Sequence, residues 1–178
     1  EEILREYDIR GIYGSSLTNK DIDLIGRSLA SVIINKNMKN IIIGHDGRDS
    51  SLEIKNLLIE SINSLGIDVV DISLVPTPIC YFATKKLNIS NSIMITGSHN
   101  PQEYNGFKII INNESFYGKQ IKDLNNIKIH NKSSIKGSLE YVNILDAYID
   151  EILNKVEIQK NLKIVWDIGN GVVGSMFH

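Results

Sequence analysis

Hydrophobic positions fall into two rhythms that alternate along the chain. Residues 20–36 place Ile22, Ile25, Leu29 and Val32 on one face at helical spacing. Residues 40–44 follow as a short β-branched run ending in Gly44. Helical spacing returns over 50–64 with Ile54, Leu57, Leu58 and Ile62, and its opening Ser50-Ser51-Leu52-Glu53 predicts a capping box. Residues 67–72 predict a strand, 78–87 a helix after Pro76-Thr77-Pro78, and 92–96 and 107–112 two more strands. Strands separated by helices of this length predict an α/β fold with a largely parallel sheet covered on both faces.

The rhythm weakens over residues 112–140, which are rich in Asn, Lys and Ser and keep apolar periodicity only at Ile121 and Leu124. One short helix and a surface connection are expected there. A helix is predicted over 143–159, with Leu145, Ile149, Ile152 and Val156 on one face. Leu162-Lys163-Ile164-Val165-Trp166-Asp167 then predicts a strand, followed by a glycine-rich turn over 169–174. A terminal strand and turn bury little by themselves. They read as the truncated beginning of a second α/β domain at 144–178, after a first domain at 1–143.

Composition narrows the class. A chain of 178 residues and 20.0 kDa holds one domain, or one domain and a piece of another. With 42% hydrophobic and 22% charged residues it is neither collagen-like, a disulfide scaffold nor disordered throughout. A net charge of −2 gives no field to recruit nucleic acid or an anionic membrane. No apolar run approaches the ~20 residues of a membrane span, and the first residues lack signal-peptide anatomy. The single cysteine, Cys80, forms no internal disulfide and suits a reducing cytosol, so a cytoplasmic protein with no nucleic-acid or membrane partner is expected. The chain carries 32 Ile, 19 Asn and 15 Lys but only four Arg, a bias towards AT-rich codons that makes each arginine more informative.

Four segments carry candidate chemistry. Thr96-Gly97-Ser98-His99-Asn100-Pro101, followed by Tyr104-Asn105-Gly106-Phe107-Lys108, lies just past the C-terminal end of a predicted strand, where open α/β sheets bind ligands. Gly97 permits unusual dihedrals, and Pro101 pushes Asn100 out of the helical region. A hydroxyl beside an imidazole and within reach of a lysine suits a group-transfer nucleophile. An Asn-Pro turn with an exposed serine accounts for the same residues. The segment is not a hydrolase elbow, because Gly97 is at the wrong position and Asn100 replaces the second glycine. In Arg5-Glu6-Tyr7-Asp8-Ile9-Arg10-Gly11, Arg10 offers a bidentate fork to phosphate or a salt bridge at a strand end. Residues 44–51, with Asp46 and Arg48, read as an anion-holding helix start or as a turn and cap. Residues 169–174 match G-x-G-x-x-G after a predicted strand, the dinucleotide fingerprint. No Walker motif is present, and His45, His99, His130 and His178 lack metal-ligand spacing. Cys80 reads as a buried small hydrophobe.

Together these segments resemble the α-D-phosphohexomutase family, in its bacterial phosphomannomutase/phosphoglucomutase type. Tyr7-Asp8-Ile9-Arg10-Gly11 resembles the family's N-terminal arginine motif, residues 96–101 its phosphoserine loop, and Asn105-Gly106-Phe107-Lys108 the segment with its active-site lysine. Asp167 with Gly169-Asn170-Gly171 resembles the start of the second domain, which accounts for the fingerprint without a nucleotide. The resemblance implies a mixed, mostly parallel sheet sandwiched by helices, plus the truncated start of a second α/β domain. It implies Ser98 as phosphoryl carrier and Mg²⁺ contact, Lys108 near the proton transfer, and Arg10 and His99 supporting phosphoserine and substrate. Tyr7, Asp46, Arg48, Asn100 and Asn105 fall beside the substrate or just behind the residues that touch it, with Asp46 and Arg48 as the supports. It further implies a phosphosugar substrate and a hexose 1,6-bisphosphate intermediate. The family has four domains, and its acidic metal loop, sugar loop and final phosphate loop lie in domains II to IV, outside these residues. The expectation is a nucleophile-bearing fragment, inactive alone. The alternatives are a nucleotide-binding module on the 169–174 turn and a non-catalytic remnant.

Overall fold

The computed structural model describes residues 3–157, 159–160, 163–169 and 171–176. Seven strands and five helices follow in the order β1 (Ile9–Ile12), α1 (Asn19–Asn35), β2 (Asn40–His45), α2 (Ser51–Asn63), β3 (Asp68–Leu74), α3 (Thr77–Lys86), β4 (Ser92–Ile95), β5 (Tyr104–Ile111), β6 (Glu114–Ser115), α4 (Lys119–Asp123), β7 (Leu139–Tyr141) and α5 (Leu145–Leu153). The strands form one mixed sheet in the order β1-β5-β4-β2-β3-β7, with β6 paired to β5. Its centre is parallel, β4 and β3 flanking β2, and β7 extends that run. β5 runs antiparallel to β4, β1 and β6. The reason is connection length. β4 ends at Ile95 and β5 starts at Tyr104, whereas a parallel return needs a crossover of about a dozen residues or more.

Side-chain alternation divides the core. Ile41 and Ile43 of β2, Ile93 and Ile95 of β4 and Phe107 and Ile109 of β5 pack under Leu29, Ile54 and Leu58 of α1 and α2. Ile42, Val70, Ile72 and Met94 pack on the other face with Ile79, Cys80 and Ala83 of α3 and with Ile144. The isoleucine run of β2 is thus buried on both sides, as a central parallel strand demands. Gly26 lets α1 approach α2, since a Cβ there would stand 2.7 Å from the Ser61 Cβ.

The capping box forms elsewhere than the sequence predicts. Thr18 caps α1: its hydroxyl accepts from the Asp21 amide at 3.3 Å, and its own amide donates to Asp21 Oδ2 at 2.8 Å. Ser50 precedes α2 with helical dihedrals and makes no capping bond, because its Oγ instead accepts from Asn105 Nδ2 at 2.9 Å. β5 starts three residues before the predicted strand, and β1, β6 and β7 are strands that the hydrophobic rhythm does not predict. The helix predicted over 143–159 is the shorter α5, and Val156 lies beyond it, 55% exposed. Residues 163–168 adopt no strand, and Val165 is 92% exposed; without a paired neighbour, a β-branched run has no ladder to join. Leu162 and Asn170, on which the predicted strand and turn partly rest, lie outside the described residues. Among the described residues, no helix is long and apolar enough to cross a membrane.

Candidate functional site

The parallel strands β2 and β4 end on the same sheet edge, so the turn after His45 and the loop after Ile95 lie side by side there. Thr96 extends the β4–β5 pairing by donating its amide to the Gly106 carbonyl at 3.0 Å. The chain then leaves the sheet at Gly97, and Ser98 takes a left-handed backbone with φ of +55°. That conformation costs a non-glycine residue about 1–2 kcal/mol and persists only where its surroundings enforce it. Here the Ser98 amide donates to Thr96 Oγ1 at 2.9 Å. The Asn100 amide and side chain both donate to the Gly97 carbonyl at 3.1 Å. Ser98 and His99 are exposed, and Ser98 Oγ lies 3.4 Å from His99 Nδ1.

Arg48 reaches across from the neighbouring turn and clamps this loop. Its Nη1 donates to the carbonyls of Pro101 at 2.5 Å and Tyr104 at 3.0 Å. Its Nη2 donates to those of Ser98 at 3.0 Å and Asn100 at 2.7 Å. One planar fork therefore holds four main-chain oxygens, a geometry that lysine cannot reproduce. Gly97 is required beneath it, since a Cβ there would fall 2.4 Å from the Arg48 Cζ. Asp46 fixes the base of the clamp. Its Oδ2 accepts from the Gly97 amide at 3.3 Å and lies in an ion pair with Arg48 Nε at 3.3 Å. Its Oδ1 accepts from the Arg48 amide at 3.1 Å and from Ser51 Oγ at 2.6 Å. Buried Asn105 closes the assembly by donating from Nδ2 to Ser50 Oγ and Ser51 Oγ, both at 2.9 Å.

Arg10 and Lys108 belong to the adjoining strands. Arg10 pairs with Gly106 and Lys108 with Met94, so pleat alternation puts both on the α3 face, opposite Phe107. Arg10 sits across β5 from Thr96, two strand spacings or about 10 Å away. It is buried and ion-paired with Asp8, and its Nε is buried with no partner. Such an orphaned donor on a buried cation has capacity for a further acceptor. Lys108 is half-buried and makes no ion pair among the described residues. Tyr7 stands apart: it is 78% exposed and stacks on Tyr117 with centroids 6.4 Å apart.

The structure thus brings Ser98, His99, Asn100, Asp46, Arg48 and Asn105 into one bonded cluster, sets Arg10 and Lys108 on its flank, and places Tyr7 outside it. Ser51 and Thr96 join the cluster without having been singled out by sequence. The signal for Ser51 was slight, a small polar residue in the first turn of a helix. Burial pushes the Cys80 thiol up to about 12, so it is protonated at neutral pH and no nucleophile. Among the described residues, no group of three or more His, Cys, Asp or Glu assembles to hold a metal. Both oxygens of Asp46 are already engaged, and Ser98 offers few oxygens where Mg²⁺ takes about six. These residues alone do not fit Mg²⁺. The 169–174 turn lacks its fingerprint context as well: residues 163–168 are not a strand, and residues 172–176 form a short 3-10 turn rather than an α-helix.

Comparison with known proteins shows the family to which this fold belongs. The family described as phosphoglucomutase/phosphomannomutase, alpha/beta/alpha domain I, matches residues 1–136. A phosphomannomutase/phosphoglucomutase of Pseudomonas syringae pv. tomato is 41% identical over 175 residues, covering 98% of this chain and 38% of that protein. A phosphoglucomutase of Neisseria gonorrhoeae is 36% identical, again over 98% of this chain and 38% of its own length. The crystal structure of a phosphoglucomutase/phosphomannomutase family protein from Burkholderia thailandensis superposes with a TM-score of 0.88 at 33% identity, covering 98% of this chain and 40% of that one. The chain therefore spans about two-fifths of the length of the relatives it matches.

Proposed function

The chain belongs to the phosphoglucomutase/phosphomannomutase family of enzymes, as its alpha/beta/alpha domain I, and from that premise we propose that it carries the phosphoryl-bearing serine of a hexose phosphate mutase. The observation that carries this reading is Ser98 itself, an exposed hydroxyl on a left-handed backbone held by an arginine clamp of four hydrogen bonds. Phosphorylated Ser98 transfers its phosphoryl group to a free hydroxyl of a hexose monophosphate, giving a 1,6-bisphosphate and the serine hydroxyl. The sugar turns over, Ser98 attacks the other phosphate, and the isomeric monophosphate leaves.

A phosphoserine carries nearly two negative charges, and transfer spreads charge over three oxygens that need fixed positive partners. Arg10, with its unfilled Nε, receives a phosphate. His99, whose Nδ1 lies 3.4 Å from the Ser98 hydroxyl, supports the phosphoserine. Lys108, on the same sheet face as Arg10, serves the proton transfer at the sugar hydroxyl. Asn100 holds the loop against the substrate, and buried Asn105 with Asp46 and Arg48 holds it from behind. A Mg²⁺ serving this transfer would meet oxygens of the Ser98 phosphoryl group and would need ligands that these residues do not supply. Residues 1–143 form domain I, 144–178 begin domain II, and domains II to IV complete a cytoplasmic enzyme that acts on mannose and glucose phosphates.

The test is a coupled mutase assay on the complete polypeptide containing this chain. Ser98→Ala should reduce turnover by several orders of magnitude, and undiminished turnover overturns the assignment. The 178-residue chain alone, given Mg²⁺ and a bisphosphate primer, should show no turnover.

A further inference from the structure

Ser51 is the first residue of α2 and is fully buried. Its hydroxyl uses both of its capacities, donating to Asp46 Oδ1 at 2.6 Å and accepting from Asn105 Nδ2 at 2.9 Å. The bonds it joins form a closed circuit. Asn105 leads through Ser51 to Asp46, then to the Gly97 amide and Arg48 Nε. Arg48 returns through the Ser98 and Tyr104 carbonyls to Asn105 along the chain. Three segments, 96–98 and 104–105 on either side of the β4–β5 connection and the sequence-distant 46–51, are locked by this circuit. Ser51 links Asn105 of β5 to Asp46 on one side of the circuit, and Arg48 links Tyr104 of β5 to Asp46 on the other.

We propose that Ser51 is a positioning residue for Ser98: its hydroxyl holds the Asp46 carboxylate in the orientation that grips the Gly97 amide and the Arg48 clamp, and so maintains the left-handed backbone of the serine. This rests on the reading of Ser98 as phosphoryl carrier only for its catalytic consequence; the geometric claim stands by itself. The left-handed conformation needs such over-determination. A carboxylate free to rotate about its terminal torsion would loosen its hold on the Gly97 amide and on Arg48 Nε together, because these contacts, both at 3.3 Å, are the longest in the circuit.

The neighbours make the role separable from folding. If the Ser51 hydroxyl is removed, Asn105 Nδ2 still donates to Ser50 Oγ and Asp46 Oδ1 still accepts from the Arg48 amide. No buried group loses its last partner, so Ser51→Ala costs little global stability, while the circuit is cut. Native-state amide exchange on the 178-residue chain tests this. In Ser51→Ala the Gly97 and Ser98 amides should exchange about tenfold faster. The amides of Ile25 and Leu29 in α1 should be unchanged, and Ser51→Thr, which keeps the hydroxyl, should restore protection at the loop. Unchanged exchange at Gly97 and Ser98, or equal acceleration at all four amides, overturns the proposal. In the complete polypeptide, Ser51→Ala should lower kcat with KM unchanged. Should Ser98→Ala leave turnover intact, the carrier reading fails while the exchange result still decides the role of Ser51.

Discussion

Replacing Arg48 with lysine measures how much of the serine loop depends on one side chain. The guanidinium bonds four carbonyls from two nitrogens. An ammonium has three donors diverging from one atom and no planar fork, so it does not bond all four. The Pro101 and Ser98 carbonyls are in exposed contacts and rehydrate, whereas those of Tyr104 and Asn100 are part-buried. Each hydrogen bond to a charged group is worth about 1.5–3 kcal/mol, so two half-buried losses, discounted for partial rehydration, amount to about 3 kcal/mol. For a chain of this size that lowers the melting temperature by roughly 6–12 °C, against a total stability of about 5–15 kcal/mol. The chain stays folded at 25 °C with its loop released. Thermal melting by circular dichroism reads the first effect. Amide exchange at Asn100 and Tyr104, whose amides bond within the loop to Gly97 and Pro101, reads the second. An Arg48→Lys protein that melts within a degree of the parent, with both amides still protected, would refute the clamp.

Other outcomes follow from the same structure. Ser98→Gly should stabilise the chain by about 0.5–1 kcal/mol in urea unfolding: relief of the left-handed cost of about 1–2 kcal/mol, less the backbone entropy of glycine. Lys55→Met should destabilise by about 3–5 kcal/mol, because it strands the fully buried Asp71 carboxylate that Lys55 meets at 2.6 Å; a loss under 1 kcal/mol would show that the pair is not a real internal contact. Tyr13 is held by burial and then by Glu53 at a pKa of about 12, against an ordinary 10.0. Since the folded value is the higher, its contribution to stability is complete below pH 10 and fades as pH rises towards 12, which phenolate absorbance and urea midpoints across that window would follow. Thr18→Ala should cost about 1 kcal/mol through loss of the α1 cap, read by the same denaturation.

Legibility tracked how locally each feature is determined. The helices α1 and α2 and the strand β2 were visible because one-sided or two-sided burial imposes a period on neighbouring residues. β1 was not: Ile9-Arg10-Gly11-Ile12 has an arginine and a glycine in four residues, and its extended form comes from pairing with β5, almost a hundred residues away. The capping signature at Ser50 misled because Asn105, invisible locally, takes that hydroxyl. Residues 163–168 misled in the opposite direction, since β propensity describes fit to a sheet and no described strand lies beside them. In the site, the residue types around Ser98 and Arg10 stood out as segments. The four carbonyls held by Arg48 and the joint occupied by Ser51 did not, because each depends on a fold-level meeting of two turns.

The clamp also sets an order of events during folding. β4 and β5 are joined by eight residues, a closure on the microsecond scale of a hairpin. Arg48 lies 50 to 56 residues from the carbonyls it holds, and it arrives only once β2 has docked in parallel beside β4, the slower kind of encounter. A nascent or refolding chain therefore displays Ser98 first as an ordinary serine on a loose hairpin. The bonds of the Ser98 amide to Thr96 and of Asn100 to Gly97 are local to the hairpin, but the arginine clamp waits for the long-range pairing, so partly folded forms of the chain are expected to lack the clamped geometry on which its chemistry would depend.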